Sequence, residues 1–417
     1  MQRSSRMLAL TGGLTALLLA GCGSNTAGTS AATSAQAASP SDAASALAGT
    51  SADGGSDVGT STSGGTSAPA SSSADTGAPA DTGAPADPSR AWNQGGKVQI
   101  PVPAKGSGKG INIAYTGFGE DNPYAQAQAK WIIAEASLYG ANATFIGPPT
   151  FDPHIQSTLL CDAATSKKYQ AIIMVSIDSA SVVPCAKQVV AAGIKLATIQ
   201  FPAGPDVTAT KPQVPGLVTQ IREDVLENAR TMADGTIKSC EKVDPCEVEI
   251  LWGVRSLGFD AVKPPAFKKE IASHPNIKVV CETDANYTED AGRTQAADCL
   301  QAHPNLHVIT SAADESIKGA EGSIKAAGKT FGLGPNDIHL VGAYADHYGV
   351  SQIKAGKWVQ SYYARPESDA RAAVDLVLLS LAGKQVPDDV LTSDLDNVGN
   401  VVDAAALKKH PDLTGQW

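Results

Sequence analysis

The chain has 417 residues, a formal net charge of −10 and only 5% aromatic residues. So acidic a balance argues against nucleic-acid binding, which calls for a basic surface. Loss of Arg3 and Arg6 with an N-terminal signal would take the charge to −12. No segment after Cys22 is long and apolar enough to span a bilayer.

Arg3 and Arg6 form a basic n-region, followed by an apolar core, Met7–Ala20, broken by Gly12 and Gly13. That core is too short for a membrane span of about 20 apolar residues and reads as a signal peptide, residues 1–21. Leu19-Ala20-Gly21-Cys22 matches the lipobox of exported bacterial lipoproteins. Its small residues let the peptidase reach the backbone, and the Cys22 thiolate takes the diacylglyceryl group. The expected location is the extracytoplasmic face of a cell membrane, held by the Cys22 lipid, because more than one acyl chain anchors stably. Residues 22–95 are dominated by Ser, Ala, Gly, Thr, Asp and Pro, with Asp-Thr-Gly-Ala-Pro-Ala at 75–80 and again at 81–86. Without large apolar side chains such a stretch cannot offset its ordering entropy, and it is read as a disordered tether.

From Gly110 short β-branched runs alternate with amphipathic stretches. The first pair is a strand at Ile111–Thr116 and a helix at Asn122–Tyr139, with Asp121 or Asn122 as cap, Pro123 in the first turn and Gly140 just past the end. Ala127, Trp131, Ala134 and Leu138 fall on one face at helical spacing. The rhythm continues through strands at 143–146, 171–175, 195–199, 216–220, 248–252, 277–280, 307–310, 339–342 and 359–363. Helices are expected near 154–166, 181–192, 224–237, 264–273, 289–302, 314–327 and 367–382. Repeated βα units imply parallel sheets wrapped by helices, with ligands at the carboxyl ends of the strands. The roughly 310 residues after the tether are enough for two lobes.

Six cysteines remain besides Cys22: Cys161, Cys185, Cys240, Cys246, Cys281 and Cys299. Their proximity in sequence suggests disulfides 161–185, 240–246 and 281–299, which an exported protein can form. A zinc site is the rival reading, but it lacks any CxxC pair and a nearby histidine cluster, so no metal is expected.

Several segments together resemble the ribose-binding type of periplasmic binding protein over residues 109 to 400. They are Asp121-Asn122-Pro123-Tyr124 after the first strand, Tyr169–Ser179 with Ile177-Asp178-Ser179, and the spacing from Gly253 to Phe267. The nearest stretch is Ser311-Ala312-Ala313-Asp314-Glu315, followed by Gly319-Ala320 and Ala327-Gly328-Lys329. The resemblance implies an α/β fold of two doubly wound parallel-sheet lobes joined by a three-strand hinge, the type I periplasmic binding protein fold. Carried over, the N-terminal lobe takes residues 109–221 plus 345–392, and the C-terminal lobe 222–344 plus 393–417. It also implies capture of a small molecule by lobe closure and delivery to an ABC permease, by a monomer without cofactor. Hinge closure of this kind is one that the family is known for.

The resemblance places ligand contacts at Phe118, Asn122, Tyr124, Ser176, Gln200, Phe201, Arg222, Trp252, Tyr287 and Tyr344, with Asp314 as a further candidate. Here the chain departs from the sugar pattern. Gln200-Phe201 stands where an Asp-Arg pair is expected, Ala261 where an arginine is, Ala313 where an asparagine is, and Ala364 where a glutamine is. Sugar readers need such groups to bond several hydroxyls at once, so their loss argues against a pentose of the ribose kind. Six of the ten candidates are aromatic in a chain that is 5% aromatic. Rings of this kind suit the apolar faces of a carbohydrate or cyclitol, an aromatic acid paired with Arg222, or a quaternary ammonium group. Trp252, at a strand end, suits the core equally well, and Asp314 suits a helix cap.

No G-x-S-x-G elbow, H-E-x-x-H, P-loop or dinucleotide fingerprint occurs in its required context, so no enzymatic activity is expected. The export signal sits where the repressors of this fold carry a DNA-binding headpiece. A rival role is ligand sensing for a membrane kinase, which would read the same closure.

Overall fold

The structure, a computed structural model, describes residues 88–417. The signal peptide, Cys22 and most of the tether lie outside the described residues. The fold begins earlier than composition suggests: Pro88–Asn93 is a short 3-10 helix within the stretch read as tether. Trp92 is buried, and Arg90 pairs with Asp375 at 2.8 Å. Asn93 Nδ2 donates to the carbonyls of Val98 and Leu395. These three side chains give this part of the polar stretch an anchorage that its average composition hides.

The first lobe opens with β1 (Asn112–Thr116), α1 (Pro123–Leu138), β2 (Asn142–Phe145), α2 (Pro153–Thr165), β3 (Ala171–Met174), α3 (Val183–Ala191), β4 (Lys195–Gln200) and β5 (Thr219–Arg222). The second follows with α4 (Val225–Cys240), β6 (Cys246–Trp252), α5 (Gly258–Ala261), α6 (Lys263–Ile271), β7 (Ile277–Asp284), α7 (Glu289–Ala302), β8 (Leu306–Ser311), α8 (Asp314–Ala326), β9 (His339–Tyr344), α9 (His347–Lys354) and β10 (Gln360–Tyr363). The chain then runs through α10 (Pro366–Leu381), β11 (Asp389–Leu391), β12 (Val401–Asp403) and α11 (Ala404–Lys409).

Each lobe has one six-stranded sheet, in the orders β11-β5-β4-β3-β1-β2 and β12-β10-β9-β8-β6-β7. All pairs are parallel except β10 with β12. Both sheets are therefore doubly wound, with strand order reversing beside β1 and β6. That reversal is where such sheets open a crevice for ligand.

The chain crosses between lobes after Arg222, between Tyr363 and Pro366, and between Leu391 and Val401. The middle crossing corrects the expectation that the first lobe resumes at 345. β10 pairs with β9, Gln360 opposite Val341, so residues 345–363 stay in the second lobe. α10 is the first element to return, and it packs on α1 and β4.

Local signals account for the helix ends. Asn122 caps α1 by accepting from the Ala125 N–H at 2.9 Å, Asp224 caps α4 through Leu226 and Glu227, and Thr288 caps α7 through Ala291. The expected apolar face of α1 is corrected. Leu138 is 59% exposed, while Ala125, Ala129, Ile132 and Ala136 form the buried stripe. The helix is so rich in alanine that apolar spacing alone picks no face. Trp131 is half-buried under the Arg371 guanidinium, 4.5 Å from its ring. Disulfides join Cys161 to Cys185, Cys240 to Cys246 and Cys281 to Cys299, the pairing that sequence proximity suggested. They tie α2 to α3, α4 to β6 and β7 to α7.

Candidate functional site

The strand ends facing the interlobe cleft carry unusual backbone. Among the described residues, six other than glycine have φ in the left-handed region, and only Lys167 lies away from the cleft. The others are Gln200 (φ 64°) ending β4, Asn286 (51°) and Tyr287 (59°) after β7, and Tyr344 (81°) with Ala345 (41°) at the end of β9. Such conformations cost of order 1–3 kcal/mol each and persist where surrounding contacts impose them, typically at ligand sites. Here they swing two amides, Gln200 and Asn286, and two rings, Tyr287 and Tyr344, toward a common space.

That space is a cavity of about 520 Å³. Phe118, Asn122, Tyr124, Gln200, Phe201, Tyr287 and Tyr344, seven of the residues expected from sequence, line it together. It is closed above by rings from both lobes. Phe201, just after β4, stacks on Phe259 of α5 with centroids 4.1 Å apart and planes 8° from parallel. Phe118, after β1, sits 6.3 Å from Phe201 and 6.4 Å from Phe259. On the hinge side the Tyr344 ring lies 6.1 Å from Tyr124 and 6.3 Å from Tyr287. The structure is thus a closed form.

A chain of buried polar groups supports these tyrosines from behind. Lys263, fully buried at the start of α6, pairs with Asp260 at 2.9 Å and donates to the Tyr344 hydroxyl at 3.2 Å. Tyr344 in turn donates to Glu223 Oε1 at 3.1 Å, joining the second lobe to the hinge after β5. Tyr287 donates to Asp260 at 2.6 Å, and so does the Val254 amide. Gly253 makes this approach possible, because a Cβ there would lie 2.3 Å from the Tyr287 ring and 2.4 Å from Asp260. Burial pushes the Glu223 carboxyl up to about 7, against the opposing pull of Lys263. Burial likewise raises the Tyr124, Tyr287 and Tyr344 phenols, which stay protonated donors.

Four expected contacts lie elsewhere. Arg222 is held by Asp389 on the neighbouring strand β11, Nε to Oδ1 at 2.8 Å and Nη2 to Oδ2 at 3.2 Å. Trp252 belongs to the core, edge-on to Phe267 at 5.8 Å with Nε1 donating to Glu282. Ser176 is fully buried and does not line the cavity. Asp314 neither lines the cavity nor caps α8, whose N-cap is Ala313 without a side-chain bond. It accepts instead from Ser361 Oγ at 2.9 Å and the Asp346 amide at 3.1 Å, stitching α8 to the ends of β9 and β10.

The cavity also takes residues that sequence reasoning missed. Phe151, Phe259 and Trp417 bring the rings to eight of seventeen lining residues. Asp121, Pro123, Thr150, Val254, Asn286, Thr288 and Glu315 complete the lining. Asp121, Pro123, Asn286, Thr288 and Glu315 adjoin residues already singled out, so widening each contact by one residue would have found them. Phe259 sits two residues before Ala261, and Trp417 lies in a tail without periodicity. Among the described residues no lysine, arginine or histidine lines the space. Burial pushes the Glu315 carboxyl up to about 8, with Asp346 adding to it. The buried Gln200 Oε1 has no partner among the described residues. Among the described residues no group of three or more His, Cys, Asp or Glu is placed to hold a metal ion.

A family pattern described as a periplasmic binding protein domain matches residues 113–385, both lobes and two of the three crossings. The chain belongs to the periplasmic binding protein family. A relative named D-apiose import binding protein, from Actinobacillus succinogenes, is 28% identical over 249 residues, 60% of this chain and 74% of its own length. Among solved structures, a galactofuranose binding protein aligns with a TM-score of 0.63 at 16% identity, over 74% of this chain and all of the other. An ABC transporter solute binding protein from Bacillus halodurans C-125 with bound myo-inositol aligns at 0.61 and 16% identity, over 74% of this chain and 99% of that one. These likenesses establish the two-lobed type I fold. The family and the named relative are binding proteins rather than enzymes. Among the described residues of this periplasmic binding protein, no helix is long and apolar enough to cross a membrane.

Proposed function

We propose that this protein captures a neutral polyhydroxy ligand, a carbohydrate or cyclitol, by closing its lobes and hands it to an ABC permease. The observation that carries this reading is the cavity lining, which among the described residues has eight rings, several amides and hydroxyls, and no basic side chain. Rings pack on the C–H faces of a polyol, while Asn122, Gln200, Asn286 and Thr288 offer bonds to its hydroxyls. Lys263 is buried behind the wall and paired with Asp260, so it gives an anion no counter-charge. With Arg222 engaged by Asp389, an aromatic acid loses the partner expected for it. The names of the relatives, which bind D-apiose, galactofuranose and myo-inositol, lend support to the polyol reading. A cationic amine is the second reading, favoured by the rings together with Glu315 and Asp121 in the lining.

Anchoring through a lipid on Cys22, and a monomeric state, belong to the same proposal. The lipobox supports the anchor. A sensing role beside a membrane kinase uses the same closure, and the permease and ATPase genes expected beside this one favour transport if present.

The test is a thermal-shift and calorimetry screen of the protein with Cys22 replaced by Ser. It covers D-apiose, methyl galactofuranoside, myo-inositol, choline and benzoate. Stabilisation by one of the polyols, with affinity on the order of micromolar, supports the proposal. Binding of choline alone transfers it to the second reading, and binding of benzoate alone overturns both.

A further inference from the structure

After α11 the chain returns to the hinge and touches both lobes. On the second lobe, Pro411 O accepts from Lys354 Nζ at 3.2 Å. The backbone of Gly415 lies so close to Asp346 and His347 that a Cβ would come within 2.5 Å of their atoms. Trp417 O accepts from the His347 amide at 3.0 Å, and Trp417 Nε1 donates to Tyr344 O at 3.1 Å.

The same residues reach the first lobe. α10 has no side-chain cap of its own. Gln416 supplies one from outside: its Oε1 accepts from the amides of Glu367 at 2.9 Å and Ser368 at 3.2 Å. Its Nε2 donates to Ser368 Oγ at 3.1 Å. The indole of Trp417 meets the Tyr124 ring edge-on, centroids 5.0 Å apart at 79°, and forms part of the cavity wall. One short segment is thus bonded to the turn after β9, to the first turn of α10 beside the middle crossing, and to a ring of α1.

We propose that residues 411–417 form a latch across the hinge, and that its Trp417 indole is a wall of the ligand cavity that helps set ligand specificity. The wall rests on the ligand site proposed above, whereas the latch does not. Lobe separation must break the segment's contacts on one side or the other, those to α10 and the Tyr124 ring in the first lobe or those to Lys354, His347 and Tyr344 in the second. Ligand packed against the indole strengthens the side of the latch that closure completes.

Two measurements on the full chain test this, with Cys22→Ser in every sample. The first needs no ligand: spin labels at Ile133→Cys on α1 and Leu333→Cys in the second lobe, both exposed positions, report the interlobe distance. Trp417→Ala and Gln416→Ala should each lengthen or broaden that distance. The second is calorimetry with D-apiose and myo-inositol. Trp417→Ala should weaken the better ligand about ten-fold, Gln416→Ala less, and Trp417→Phe should recover most of the loss. Melting curves show whether each variant folds, and Gln416→Ala serves should Trp417→Ala not. Unchanged distances in folded variants overturn the latch. If the wild type binds a probe and Trp417→Ala binds it equally, the wall is overturned. If the wild type binds neither polyol while the variants still open, the polyol reading and the wall built on it fail and the latch stands.

Discussion

Phe201 and Phe259 stack face to face across the cleft at 4.1 Å, one carried by each lobe. Both are about 1% exposed, so this pair exists only while the lobes are together. Aromatic pairs contribute roughly 0.5–1.5 kcal/mol beyond the area they bury. Phe259→Ala should therefore shift the protein toward its open form and weaken ligand binding by up to about ten-fold. Titration calorimetry checks the affinity, and an unchanged value would mean the stack does not contribute to closure.

Lys263 is the cation within the polar chain behind the tyrosines, fully buried and paired with Asp260. Lys263→Met keeps the volume but leaves Asp260 without its counter-charge and removes the opposing pull on Glu223. Breaking a buried pair in this way costs about 3–5 kcal/mol. Urea unfolding should show that loss as a lower midpoint with the same slope, and an unshifted midpoint contradicts the prediction.

Stability should fall as pH rises from about 5 to 8, the reverse of ordinary acid denaturation in that range. Burial pushes Glu249, Glu315 and Asp369 up to about 8 and Glu223 up to about 7. In that window the unfolded chain has released protons, since free carboxyls titrate near pH 4, while the folded state still holds them. The folded state thus binds more protons, and its advantage drains away as pH climbs through those raised values. Glu249 offers the cleanest variant, because both its oxygens lack a partner among the described residues. Scanning calorimetry of Glu249→Gln should show a flatter decline and a higher Tm at pH 8, and a wild-type Tm that rises over this range rules the idea out.

The three disulfides close loops of different length, with separations of 24, 6 and 18 residues. In the chain-entropy view the longest loop gains most, about 3 kcal/mol. Replacing Cys161 and Cys185 together by alanine should lower Tm more than the corresponding change at Cys240 and Cys246. Equal losses would place the stabilisation in native packing instead.

The alternation of strands and helices was legible because β-branched runs alternate with longer amphipathic stretches, helped by local signals such as the cap at Asn122. Which sheet a strand joins was not: nothing local in Gln360–Tyr363 says that it pairs with β9. The first-lobe side of the cavity was readable because Phe118, Asn122, Tyr124 and Phe201 follow strand ends. Lys263 was missed because a lysine opening a helix reads as solvated until its tertiary partners are known. Arg222 misled for the opposite reason, since the strand bearing Asp389 lies 167 residues away in sequence. Trp417 gave no signal at all, its position being set by distant backbone at Tyr344 and His347.

The segment entering the fold is fastened to particular places. Arg90 grips Asp375 of α10, while Asn93 and Val98 bond to the carbonyls of Leu395 and Asp394 in the third crossing. A pull on the chain at Pro88 would thus reach the first lobe through Arg90 and the pivot through Asn93 and Val98. If the chain is held from its N-terminal side, as the proposed lipid anchor would hold it, the first lobe becomes the stationary jaw and the second does the swinging.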